Sequence, residues 1–198
     1  PRTLQLAQYG DLDVSTIKSI PKGRKGTRSR IIQSDNYANY LNFVKTRMSL
    51  NEQIYIVVPA IDESESLDLK NVNETQILYR KFFPDTKIGI LHGQMSSDEK
   101  DLVLTQFKNQ ELQLLIATSV IEVGIDIHNA TVMTVYGADR FGLSSLHQLR
   151  GRVGRGHLPG FFFLICDKNQ STESISRLRI LEKTTDGFEI AEADLKNR

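Results

Sequence analysis

Short, nearly continuous apolar runs alternate along the chain with longer stretches of helical periodicity, and that alternation leaves few folds open. Gln53 to Pro59, Lys87 to Leu91, Gln113 to Thr118, Thr131 to Tyr136 and Gly160 to Cys166 read as strands that are apolar on both faces. Such strands need cover above and below, as in a parallel sheet with helices on each side. The intervening stretches supply those helices. Tyr37, Tyr40, Leu41, Val44 and Met48 recur at helical spacing behind Asp35, a good N-cap, and Leu102, Val103 and Phe107 do so behind Ser96. Ser96-Ser97-Asp98-Glu99 matches the capping box, which starts a helix just after the loop His92-Gly93-Gln94-Met95. The expected fold class is α/β, a parallel sheet sandwiched by helices.

The ends have a different texture. Pro21-Lys22-Gly23-Arg24-Lys25-Gly26-Thr27-Arg28 is basic and glycine-rich, so residues 1–30 read as an exposed connection and 31–170 as the main unit. Residues 171–198 hold a helical segment with Ile175, Leu178 and Leu181, a break at Asp186-Gly187, and a short helix with Ile190 and Leu195, together a helical hairpin. The start on Pro1 and the helical pattern running out at Arg198 predict a piece of a longer chain. At 198 residues, 39% of them hydrophobic, one domain with a small appendage can bury a core.

Twenty-five Lys and Arg against 24 Asp and Glu leave a charge of +1, so any nucleic-acid surface must be a local patch. The single cysteine, Cys166, excludes an internal disulfide and reads as a small core residue of the last strand. No apolar run approaches the ~18 residues that cross a bilayer, and nothing at the start reads as a signal peptide, so no membrane role and a cytoplasmic location are expected.

Gln148-Leu149-Arg150-Gly151-Arg152-Val153-Gly154-Arg155-Gly156 runs from a helix that begins near Ser144 into a glycine-punctuated turn bearing several guanidinium groups. Planar, always-charged guanidinium groups suit bidentate contact with phosphate, and glycines allow close approach; a solvated basic helix end would carry the same residues. Ala117 to Asp126 leaves a strand for a loop at the carboxyl edge of the sheet, where open α/β folds bind ligands. Thr118 and Ser119 there suit a phosphate or a helix cap, and Asp126 a ribose hydroxyl, a cap or an Arg partner. His92 and Gly93 follow a strand at the same edge. The four histidines and one cysteine have no metal-ligand spacing, no Ser, His and Asp grouping suggests a hydrolytic triad, and no phosphate-binding G-x-x-x-x-G-K-[ST] loop occurs.

Taken together these stretches resemble the second RecA-like lobe of superfamily-2 helicases, with His92 to Met95 as motif IV, Ala117 to Asp126 as motif V and Gln148 to Arg155 as motif VI. Phe141-Gly142-Leu143 followed by Leu146 to Gly156 narrows the resemblance to RecG and its relative Mfd. Tyr9 to Ser15, Ile61 to Glu65, and Asp186 to Ala191 with Asp194-Leu195 favour the RecG type. His128 departs from the family's usual Pro, and Tyr136-Gly137 from its usual hydrophobic-acidic pair.

The resemblance implies an ATP-dependent DNA helicase of recombination and repair that remodels branched DNA such as stalled forks and Holliday junctions. In it, Arg152 and Arg155 would be arginine fingers on ATP, with Gln148 coupling nucleotide state to DNA grip. Gly124 and Asp126 would lie on the nucleotide side, and His92, Gly93, Thr118, Ser119 and Glu122 would contact DNA. Arg177 and its helices would begin the translocation motif. Mg²⁺ would be held by the first RecA-like lobe of the same chain, which with a wedge domain would precede Pro1, so the piece alone would lack ATPase. Branched double-stranded DNA, and a single-stranded-DNA-binding protein, are the implied partners of a bacterial, cytoplasmic, nucleoid-associated monomer. An Mfd-like translocase would differ in its flanking domains, and a binding module without ATPase would have no first lobe.

Overall fold

A computed structural model describes residues 25–60, 65–118, 129–166 and 171–196, with 65–70 as backbone only. Its strands are β1 (Thr27–Ile32), β2 (Gln53–Val58), β3 (Ile88–Leu91), β4 (Leu114–Thr118), β5 (Ala130–Tyr136) and β6 (Gly160–Ile165). All pair in parallel, in the order β1-β6-β5-β2-β4-β3. The described helices are α1 (Tyr37–Ser49), α2 (Glu65–Phe82), α3 (Ser97–Lys108), α4 (Leu143–Arg150), α5 (Thr172–Leu178), α6 (Ile180–Lys183) and α7 (Gly187–Lys196).

Because side chains alternate along a strand, the apolar runs feed two cores at once. Ile54, Ile56, Val58, Leu114, Ile116 and Val132 pack beneath α1 and α2 with Tyr40, Val44, Met48, Val72 and Tyr79. Tyr55, Val57, Leu115, Ala117, Met133, Val135, Phe162 and Leu164 face the opposite way, against Phe107 of α3, Leu143 and Leu146 of α4, and Leu178, Leu181 and Ile190 of the last three helices. Full burial of each large apolar side chain contributes about 1.5–3 kcal/mol, so this double-sided pattern is what commits the chain to three layers.

The capping box forms as expected: the Glu99 N–H donates to Ser96 Oγ at 3.3 Å and the Ser96 N–H donates to Glu99 Oε2 at 2.8 Å. Phe107 is wholly buried on that helix, while Leu102 of the same apolar set is 60% exposed.

Three expectations are corrected. Thr27 to Arg30, read as the end of an exposed connection, belong to β1, paired along its length with β6. As an edge strand β1 needs little apolar alternation, so exposed Arg28 and Arg30 hid it; those charges and the Glu182 carboxylate, which accepts the Ile31 N–H at 2.9 Å, blunt the open edge. Asp35 sits in a 3-10 turn, and the N-cap of α1 is Asn36, with no side-chain cap bond. Cys166 lies just beyond β6 and is half-buried. The tail follows the expected order, a helical segment split at Arg179 into α5 and α6 and, after the break that ends at Asp186, the short helix α7.

Tyr136, one of the departures from the family pattern, accepts or donates a hydroxyl bond with Tyr37 at 2.8 Å and with Tyr79 at 3.1 Å. Tyr79 in turn meets Tyr40, whose hydroxyl also bonds Thr134 at 2.8 Å. Burial pushes the Tyr136 and Tyr79 phenols well above their ordinary value, so the cluster is neutral and ties α1, α2 and β5 together.

Candidate functional site

A parallel sheet has a distinct amino edge and carboxyl edge, and the helix after each strand carries the chain back from one to the other. That return decides where each candidate residue lies. β5 ends at Tyr136, α4 runs back from Leu143 to Arg150, and the glycine-punctuated turn therefore stands at the amino edge. Two bonds pin it there. The Gly154 N–H donates to Ala130, the first residue of β5, at 3.3 Å, and Thr27 Oγ1 donates to the Val153 carbonyl at 3.2 Å; next to them the Gly160 N–H donates to the Gly26 carbonyl at 2.9 Å and ties the start of β6 to β1.

Gly154 has φ +68°, and a Cβ there would stand 2.6 Å from the Gly160 nitrogen, so both its conformation and its space require glycine.

On this turn Arg152 and Arg155 are half-buried, and Arg155 Nε donates to the Gly151 carbonyl at 2.9 Å. Gln148 is exposed one turn back on α4. Arg152 stands close enough to Tyr55 of β2 for its charge to oppose the effect of burial, which pushes that phenol up to about 12.

Arg150, grouped with these arginines in the sequence, is turned away from them. It is 4% exposed and donates Nη1 to the Leu181 carbonyl at 3.1 Å and to the Thr184 carbonyl at 2.8 Å, while Nη2 donates to His147 Nδ1 at 2.8 Å. A guanidinium has no acceptor, so His147 accepts through Nδ1 as a neutral ring. Burial first and Arg150 second hold its pKa below the ordinary value, against an opposing pull from Asp186. A Cβ on Gly187 would lie 3.0 Å from His147 Nε2, which places the Asp186-Gly187 break directly on this ring. α4 begins at Leu143, one residue before the expected Ser144, and its first turn is held by Asp194 of α7. The sequence had marked Asp186 and Gly187 as a helix break, and Asp194 only through family resemblance; none of the three has a local signature for these contacts.

His92 and Thr118 stand at the other edge, after β3 and at the end of β4. Gly93 is exposed in the loop that follows, with open space where a Cβ would be. Thr118 is 1% exposed, yet its Oγ1, like His92 Nδ1 and Asp139 Oδ1, has no hydrogen-bond partner among the described residues. Ser29 Oγ and Gln53 Oε1, elsewhere in the sheet, are likewise without a partner among the described residues, and each such atom asks for its own local explanation. Arg177 of α5 reaches the same edge: its Nη2 donates to the Asp139 carbonyl at 2.8 Å and to the Phe141 carbonyl at 3.1 Å, and it is half-buried. Ser119, Glu122, Gly124 and Asp126 lie outside the described residues. Among the described residues no cluster of His, Cys, Asp and Glu could hold a metal ion, and no helix is long and apolar enough to cross a membrane.

The candidates thus form two clusters, not one. Ala130, beside the arginine turn, adjoins Gln53 at the start of β2, and Thr118 pairs with Val58 at its end. At about 3.3 Å per residue the strand between them measures roughly 17 Å.

Residues 35–157 match the helicase conserved C-terminal domain family. The ATP-dependent DNA helicase RecG of Aquifex aeolicus (strain VF5) is 46% identical over 201 residues, covering 100% of this chain and 25% of that protein. RecG of Synechocystis sp. is 44% identical over 199 residues, again across 100% of this chain and 24% of the relative. The chain therefore spans about a quarter of the length of these relatives. A solved structure of RecG bound to a three-way DNA junction superposes with a TM-score of 0.81 at 40% identity, over 100% of this chain and 26% of that one. S. cerevisiae Dbp5 bound to RNA and ADP BeF3 gives 0.60 at 20% identity, over 98% of this chain and 52% of that one, a likeness of fold alone. With its RecA-like sheet and its whole-length similarity to RecG helicases, this chain belongs to the helicase conserved C-terminal domain family.

Proposed function

We propose that this lobe is the second half of an ATP-driven motor that remodels branched DNA, with nucleotide at the amino edge of its sheet and DNA at the carboxyl edge. The observation that carries the reading is the separation of the two clusters across the sheet. Arg152 and Arg155, fixed on a turn that only glycine can form, stand ready to meet phosphate oxygens presented by a facing lobe. Guanidinium groups held in place before charge develops stabilise a phosphoryl-transfer transition state without reorganising. His92 and the orphaned Thr118 hydroxyl would meet the DNA backbone, as would Ser119 and Glu122. ATP fits this donor set only in part. The chain carries no phosphate loop, so the first lobe would cradle the phosphates and Mg²⁺, and Gly124 and Asp126 would approach the nucleotide from this side.

In the full-length protein, Arg155→Ala should lower DNA-stimulated ATP turnover roughly 10³-fold while branched-DNA binding survives. Full turnover in that variant would remove the finger role. The purified chain alone should show no ATPase, and DNA-stimulated hydrolysis by it at motor-like turnover would overturn the two-lobe reading.

A further inference from the structure

α4 has no N-terminal cap of its own, since Gly142 at that position carries no side chain. Its first amide would be an orphan donor. Asp194, 51 residues later on α7, takes that place: the Leu143 N–H donates to Oδ1 at 3.1 Å and Ser144 Oγ donates to Oδ2 at 2.9 Å. Asp194 is 6% exposed, and a buried carboxylate at a helix N-terminus gains from both charge-assisted bonds and the helix dipole. At the other end of the same helix Arg150 is bonded to the Leu181 and Thr184 carbonyls. Residues 181–194 therefore grip α4 at both ends, and the turn bearing Arg152 and Arg155 starts at the next residue, Gly151.

We infer that Asp194 is a positioning residue for the motor chemistry: by capping α4 in trans it sets where the Arg152 and Arg155 guanidinium groups stand. This rests on the phosphate-binding role proposed above for those arginines. A short helix fixed at its first turn cannot slide or tilt, so the tail transmits its own position to the arginine turn. Without the clamp α4 keeps its apolar contacts through Leu143 and Leu146 but loses its polar register.

The test uses the full-length protein and measures kcat and KM for ATP with saturating branched DNA. Asp194→Ala should lower kcat about 10- to 100-fold, the loss expected from misplacing a reacting group by about 1 Å. KM for ATP should stay within about two-fold, since the lost interaction is made in the transition state. Asp194→Asn keeps an acceptor for the Leu143 N–H and should recover most of kcat. In an Arg155→Ala background, Asp194→Ala should add little, because both changes remove one function. Ser144→Ala removes only half of the clamp and carries the same comparison if Asp194→Ala melts below the assay temperature.

Wild-type kcat in Asp194→Ala overturns the inference while leaving the arginine role intact, as does a loss that multiplies fully with that of Arg155→Ala. Full turnover in Arg155→Ala alone overturns the arginine role, and with it this one.

Discussion

The buried Arg150 guanidinium donates to the Thr184 carbonyl at 2.8 Å, joining the end of α4 to the chain between α6 and α7. Arg150→Ala would leave that carbonyl, the Leu181 carbonyl and His147 Nδ1 without their donor. Buried acceptors stripped of partners cost about 1–3 kcal/mol, so the substitution should lower the stability of the chain by about 2–3 kcal/mol. Amide hydrogen exchange should quicken first in residues 180–196, with β2 and β4 still protected. Uniform loss of protection across the sheet would contradict a local tether.

His147 makes the same junction sensitive to pH. Its folded pKa lies below the ordinary 6.5, chiefly through burial. The unfolded chain therefore takes up a proton near 6.5 while the folded chain still resists one. Stability is fully present above that value, declines as pH falls below it, and levels off only beneath the folded pKa. Urea midpoints of the chain and of His147→Gln, which accepts a bond but does not titrate, should converge as pH falls from 7.5 to 5.5. Parallel pH profiles would show that His147 is not responsible.

Gly154→Ala should be among the most damaging small substitutions in the lobe. A left-handed conformation costs an L-residue about 1–2 kcal/mol, and the new methyl would meet backbone at 2.6 Å. A total of about 2–4 kcal/mol is expected from strain and overlap together, read as a shift in the urea midpoint. A change below about 0.5 kcal/mol, the range of ordinary surface sites, would mean that the turn can rearrange.

Arg177 separates coupling from chemistry in the proposed motor. Its bonds to the Asp139 and Phe141 carbonyls hold the segment that leads into α4, far from the arginine turn. Arg177→Ala in the full-length protein should reduce fork regression much more than DNA-stimulated ATPase, both measured in one salt because phosphate contacts are salt-dependent. Equal loss of both activities would point to a damaged lobe, and wild-type values for both would make the contact dispensable.

Local chemistry in the sequence determined the strands β2 to β6, the capping box at Ser96 and Glu99, and the glycine-rich arginine turn, because strand alternation, a cap and a turn are decided by residues a few positions apart. β1 escaped notice since an edge strand is covered on one side and carries Arg28 and Arg30 in place of an apolar run. Only the tertiary structure decided that the candidates divide between two edges of one sheet, which follows from the antiparallel return of α4 and cannot be read from spacing. Arg150 shows the limit most clearly. In sequence it is one more arginine beside Arg152 and Arg155, yet its two carbonyl partners lie 31 and 34 residues away, and burial against them makes it a tether. Asp194 is the same case across 51 residues. The identity of a polar side chain states what it can bond, and only the packing of distant helices determines what it does bond.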